Sequence, residues 1–318
     1  MKEFTVKQKV YLKSNNSISK INLNYTYSII IFIILTLILS LIFKYQTYAI
    51  SLIKSVIFSL IITTIITYLI NILKKEYQLK TIYKDTNILS IALIIALFST
   101  NCPYYITLIA LIITIIIKNK SNKLELSAAL YGILLINLYN QFISNNIVPI
   151  TTDFKIIDFL INPNYLSPIL SVLAFIYIFH KKSIKYNIVI SYILTLFSIT
   201  FLYTILNNNN INFILSFFLT NSLLFLSVYT LPDYKITPII SHSQIIYGII
   251  LGIATTIMFF FIPNLSVIIP LIIMPYIITK PLDNLSPKLK YNPKVYYLVV
   301  LLCIIIITIT IIILTRYF

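Results

Sequence analysis

The sequence predicts an all-α polytopic membrane protein, a bundle of apolar helices with short connections. Three observations carry that prediction. Of 318 residues, 59% are hydrophobic and 10% charged, where soluble domains carry about 25% charged residues. Mean hydropathy is +0.96. The lysines fall between long apolar runs, as in integral membrane proteins. The same figures exclude a disordered chain and a secreted disulfide scaffold. The formal charge of +16 would suggest nucleic acid in a soluble protein. Here it reads as topology charge, with no nucleic-acid partner.

Residues 1–26 carry five lysines and read as a cytoplasmic amino-terminal segment. No small-residue cleavage pattern follows, so the first apolar run is an uncleaved anchor. A helix needs about 20 apolar residues to cross a bilayer. Tyr27–Phe43 and Ser55–Leu73 qualify at once. Asn87–Thr100 and Pro103–Ile117 are short, and are expected to be tilted, broken or re-entrant. Leu126–Ile143, Leu166–His180, Ile188–Leu206, Ile211–Leu231 and Ile245–Ile262 follow. In Leu265–Thr279, Pro270 and Pro275 predict an irregular helix. Val295–Leu314 is the eleventh candidate, on an additional segment 291–318.

With the amino terminus inside, 20 basic residues fall on the inner side and 4 on the outer, Lys44, Lys54, Lys155 and Arg316. That asymmetry predicts an N-in, multi-pass protein of a bacterial inner membrane. The abundance of Ile, Lys, Asn and Tyr fits an A/T-rich genome, which makes the scarcity of Gly and Trp weak evidence about fold. The 25 tyrosines are expected in interfacial belts and packing.

The polar residues exclude several chemistries. None of the eight acids, Glu3, Glu76, Asp85, Glu125, Asp153, Asp158, Asp233 and Asp283, lies at a span centre. A buried carboxylate relay is therefore not supported. His180 and His242 are expected at the inner edge, and no cluster has metal-ligand spacing. No nucleophile elbow, P-loop or dinucleotide glycine pattern occurs, so no catalytic residue is assigned. Cys102 and Cys303 read as apolar packers.

The most informative stretch is Leu231–Asp283. It opens LPDYKITPIISHSQIIYGIILG and closes on PLDN. This resembles the RnfD/NqrB family, membrane subunits of ion-translocating electron-transport complexes. In that family a D-P-x-T-S-P turn precedes I-Y-G-x-x-x-G, and P-L-I-D follows the last family helix. Asp233 and Pro238 match the first motif in spacing, with Thr237 where Ser is usual. Tyr247, Gly248 and Gly252 fall in register with the second, and Pro281, Leu282 and Asp283 with the third. Asp85 before ILSIALIIALF, SAALYG at Ser127–Gly132 and Asp158–Leu160 are similar to further family segments, so the resemblance runs over about residues 13–290.

The resemblance implies a transmembrane domain over 27–290 of about ten helices, with a five-plus-five repeat. It implies partner subunits of an Rnf- or Nqr-like complex and FMN as cofactor. Asp85, Asp233, Thr237, Tyr247, Gly248 and Gly252 become candidates for a functional path. The family attaches FMN to Thr in [ST]-G-A-T. Here that loop reads SNNIVPITTDFKIIDF, and Thr151 and Thr152 are its only threonines, neither matching the motif. The expected function is flavin-mediated electron transfer coupled to Na⁺ or H⁺ movement. A redox-inactive scaffold or ion-path subunit, or a multi-span solute transporter, are the alternatives.

Overall fold

In the computed structural model the described residues are 2–43, 45–73, 86–121, 124–143, 168–181, 185–206, 217–218, 222–233, 235–262 and 265–285. Among them the fold is all-α. Ten α-helices follow in order: α1 Lys2–Ile42, α2 Gln46–Leu73, α3 Thr86–Phe98, α4 Tyr104–Lys120, α5 Ala129–Phe142, α6 Pro168–His180, α7 Tyr186–Leu206, α8 Leu223–Tyr229, α9 Ser241–Phe261 and α10 Ile268–Leu285. A 3-10 turn, η1 Leu126–Ala128, leads into α5. Asp85, Thr151, Thr152, Asp158, Cys303 and the candidate span 295–314 lie outside the described residues.

Four helices are long and apolar enough to cross a membrane, over Ile21–Ile42, Gln46–Ile72, Tyr186–Leu206 and Ser241–Phe259. Their outer faces show Ile31, Ile57, Ile65, Leu194 and Phe201 to the surroundings. Such faces suit lipid, since a soluble monomer rarely exposes large contiguous apolar patches. The protein is a multi-pass helical membrane protein. α3 and α6 have 13 residues each, about 20 Å of helix against a hydrocarbon layer of about 30 Å. They end inside the thickness that α2 covers.

Several boundaries differ from expectation: among the described residues α8 covers only Leu223–Tyr229 of the expected span Ile211–Leu231, and three others move named residues. The first apolar helix starts before Tyr27, because α1 runs without a break from Lys2. α2 starts at Gln46, so Lys54 lies within a helix and not in the expected outer loop. Gln46, Thr47 and Ser51 are polar enough to hide that helix in a hydropathy reading, yet each is tolerated near a membrane-edge helix end. α10 continues through Pro281 to Leu285, which puts Pro281-Leu282-Asp283 in its last turns instead of after the helix.

Packing recurs with a period of five elements. α1 lies against α3 as α6 does against α8. Likewise α2–α4 corresponds to α7–α9, and α4–α5 to α9–α10. Contacts α1–α6 and α5–α10 join the two sets. The short helix α8 is held by aromatic side chains. Phe225 packs on Phe32 at 5.0 Å and Phe98 at 6.0 Å between ring centroids. The Tyr229 hydroxyl meets Ser28 Oγ at 2.8 Å. Tyr25, Tyr48, Tyr192, Tyr229 and Tyr247 are core residues, while Tyr27, Tyr68, Tyr104, Tyr105, Tyr186 and Tyr276 are exposed, so tyrosine serves both packing and the outer surface. In the core, Tyr192 and Tyr229 pair their hydroxyls with Thr255 and Ser28.

Candidate functional site

The segment between α8 and α9 reads LPDYKITPII, two prolines around five residues. Proline lacks the N–H that would continue a helix and biases the residue before it away from helix. α8 therefore stops, and one turn forms between Pro232 and Pro238. Thr237 N donates to Asp233 O at 3.2 Å, and the Thr237 hydroxyl donates to the same carbonyl. Lys235 N donates to Asp233 Oδ1 at 3.1 Å, an Asx-type turn.

The other carboxylate oxygen of Asp233 reaches across the bundle. Oδ2 accepts from Glu125 N at 2.9 Å, from Ser127 N at 3.3 Å and from the Ser127 hydroxyl. These donors sit at the start of η1, where helical N–H groups have no internal partner. Asp233 thus closes the amino end of the η1–α5 helical segment from another part of the chain, an arrangement also favoured by the helix dipole. Glu125 is tied in turn. Its Oε1 pairs with Lys235 Nζ at 2.8 Å, and its Oε2 accepts from Asn87 Nδ2 at 2.8 Å. Asn87 is in the first turn of α3, so one buried polar node joins α3, η1 and the α8–α9 turn.

A lysine holds the far side of the turn. Lys185 Nζ donates to Thr237 Oγ1 at 2.8 Å, Thr237 O at 3.1 Å and Pro238 O at 3.2 Å. Gln244 Nε2 reaches back from α9 to Pro238 O and Ile239 O at 3.2 and 3.0 Å. From α10, Asp283 Oδ1 accepts from Ile239 N at 3.2 Å and the Thr279 hydroxyl donates to Ile236 O at 2.8 Å. The turn is pinned by α7, α9 and α10 as well as by η1.

Electrostatics follow from the burial. Asp233 is only 5% exposed. Burial pushes its carboxyl above the ordinary range, while the Ser127, Glu125 and Lys235 donors pull the other way. Burial also pulls the Lys185 ammonium down to about 8, against attraction by Asp233 and Asp283. The node therefore holds a carboxyl that binds a proton more readily than usual, beside an amine that releases one more readily. Among the described residues no three His, Cys, Asp or Glu side chains gather as metal ligands.

The sequence candidates separate here. Asp233 and Thr237 share one turn, and Asp283 joins it. Tyr247 is buried below the turn on α9. Gly248 and Gly252 have a different neighbourhood, the crossing of α9 with α7. A Cβ on Gly248 would run into Ser191 Oγ and lie 2.6 Å from Ile188 O; one on Gly252 would be 2.9 Å from Thr195 Cβ. The third glycine, Gly132, faces α4 at Thr114 and Ala110. Small residues at such spacing let helix backbones approach closely. Sequence reasoning missed Glu125, Asn87, Ser127 and Lys185 as node residues. Glu125 had a signal: it is an acid directly before an apolar run, among Lys118, Lys120 and Lys123.

Residues 157–282 match the NQR2, RnfD, RnfE family. That interval contains the pinned turn, the Tyr247-Gly248 helix and the Pro281-Leu282 pair. The match covers 126 of the 318 residues of the chain. No curated protein matches the chain. The family stretch runs from before α6 into the last turns of α10. Three of the node's residues, Asn87, Glu125 and Ser127, come from outside it. The family turn is thus completed by the half of the chain that precedes the match.

Proposed function

We propose that this chain is a membrane subunit of an ion-translocating electron-transport complex of the Rnf or Nqr kind, placed in a bacterial inner membrane with its amino terminus in the cytosol. The match of residues 157–282 to the NQR2, RnfD, RnfE family supports this reading. The observation that carries it is the Asp233 node. A buried carboxyl of raised proton affinity sits on a turn tied to five elements, so its charge state bears on α3, η1, α7, α9 and α10 together. Such a group is suited to coupling ion or proton occupancy to helix-end position, with Asp233, Thr237 and Asp85 on the path.

FMN is the cofactor the resemblance implies, and the loop where it would attach lies outside the described residues. All three glycines of the chain are closed against neighbouring helices, and a glycine so occupied gives no room for a cofactor to approach the backbone. No step is assigned to a flavin. This favours a second reading: a subunit that keeps the scaffold and ion path while partner subunits carry the electrons.

The test is Asp233→Asn in the native complex. The amide keeps the acceptor but removes the titration, so membrane insertion stays intact and ion-coupled activity falls. Unchanged coupled activity would remove Asp233 from the path. In-gel flavin fluorescence of the denatured chain, read beside the flavin absorbance of the native purified chain, separates the two readings: flavin in either supports an electron carrier, flavin in neither the scaffold.

A further inference from the structure

At the end of the bundle away from the Asp233 node, a hollow of about 370 Å³ opens between the first turns of α2 and the α3–α4 turn. Its wall includes Lys54, Thr47, Thr100, Tyr104 and Thr107. We infer that this hollow binds the phosphodiester of an anionic phospholipid, in the leaflet opposite the Asp233 node.

Four observations converge. First, Lys54 lies eight residues into α2, about 12 Å along the helix from Gln46. Its helix neighbours Ile50, Ile53 and Ile57 are exposed on a lipid-facing strip. No acid or other side chain among the described residues pairs with it. A lysine in that position turns its ammonium back toward the headgroup layer and needs an anion there.

Second, α4 starts without a cap. Its N-cap is Pro103, which makes no side-chain bond to the helix. The first N–H groups with a carbonyl partner are those of Ile106 and Thr107, both on Pro103 O. Of the preceding N–H groups, that of Tyr104 belongs to a residue lining the hollow and has no intrahelical partner, so it is free to meet an anion. Third, Thr107 is 2% exposed and lines the hollow, which places a hydroxyl-bearing side chain one turn into α4 at the wall of the site.

Fourth, the serine hydroxyls of the wall are already committed. Ser55 Oγ donates to Ala96 O at 3.0 Å, Ser51 Oγ to Tyr48 O at 2.8 Å and Ser99 Oγ to Ala96 O at 3.3 Å. Lys54 and the amino end of α4 give the remaining wall a positive charge and free N–H donors beside the hydroxyls of Thr47, Thr100, Tyr104 and Thr107, a set that suits an anion better than a cation. No carboxylate lines the hollow to hold a choline or ethanolamine ammonium beside the phosphate. The exposed α2 strip continues from the hollow as a surface for acyl chains. A phosphate with a net negative headgroup therefore fits better than a zwitterionic one.

Native mass spectrometry of the full chain, released from its own membrane in mild detergent, tests this. Retained lipid is identified, then titrated with phosphatidylglycerol, phosphatidylcholine and inorganic phosphate. The wild type should retain phosphatidylglycerol over phosphatidylcholine, with no displacement by inorganic phosphate. Lys54→Gln should weaken that retention about fivefold, the size of one lysine's attraction to an anionic surface. Thr107→Val should also weaken it, Lys54→Arg should preserve it, and Lys280→Gln, at the other end of the bundle, should leave it unchanged. Equal retention of both lipids, or undiminished phosphatidylglycerol in Lys54→Gln and Thr107→Val, would overturn the assignment. Displacement by inorganic phosphate would overturn the lipid as its source. If Lys54→Gln fails to fold, the Thr107→Val and Lys54→Arg pair decides.

Discussion

At the scale of single residues, Asp233 controls the node through what it accepts. Asp233→Ala would leave the Glu125 and Ser127 N–H groups buried without an acceptor. Each such group costs about 1–3 kcal/mol, so a loss of about 2–5 kcal/mol is expected, read as a lower melting temperature in detergent. Asp233→Asn should lose far less, since the amide oxygen replaces the acceptor. The pH dependence has a definite sign. Burial raises the Asp233 pKa in the folded state, so its stability contribution is full below the ordinary carboxyl range and fades as pH rises through the folded value. Lys185 has its pKa lowered to about 8 from 10.5. Its contribution is full above 10.5 and is lost as pH falls toward 8. Melting the wild type and Asp233→Asn across pH 4–9 should show the acid-side gain in the wild type alone. A parallel pair of curves would mean that Asp233 does not titrate in the fold.

At the scale of elements, the α7–α9 crossing depends on two missing side chains. Gly248→Ala would drive a methyl into Ser191 Oγ and the Ile188 carbonyl. Carbonyl oxygen cannot rotate away as a side chain can, so the helices must separate. Overpacking of this kind costs about 1–3 kcal/mol, and a clear fall in melting temperature is expected. Gly252→Ala meets Thr195, a side chain with somewhat more room, and should cost less. If Gly248→Ala is neutral while coupled activity collapses, the glycine serves a path instead of packing. The register of Gly248 and Gly252 was legible in the sequence. Their neighbour was not, because an I-Y-G-x-x-x-G spacing gives one helix face and never says which helix lies against it.

At the scale of the molecule, the helix ends sort into two groups. The starts of the apolar part of α1, of α3, α5, α7 and α9 meet the ends of α8 and α10 around Asp233. Thr26 with Ser90 at 2.7 Å and Ser28 with Tyr229 at 2.8 Å tie α1 to that end. Ser55 with Ala96, and Cys102 Sγ with Asn140 Oδ1 at 3.3 Å, close the opposite end. In a cysteine-free background, Ile239→Cys should therefore label from the side that carries the amino terminus, and Tyr105→Cys from the other. Labelling of both from one side would contradict the arrangement.

Composition and spacing alone determined that this chain is helical and membrane-embedded, and the motif resemblance added that the Asp233–Pro238 turn precedes a Tyr-Gly helix. The reason is that apolar run length, lysine placement and proline position act locally or through bulk transfer energy, which a linear string records. Only the tertiary structure decided that Glu125 and Ser127 complete the turn from more than 100 residues away, that Lys185 holds its carbonyls, and that Lys54 belongs to a helix beside an unfilled set of donors. Those facts depend on which buried polar groups meet, and a single sequence holds no trace of a partnership formed across the bundle.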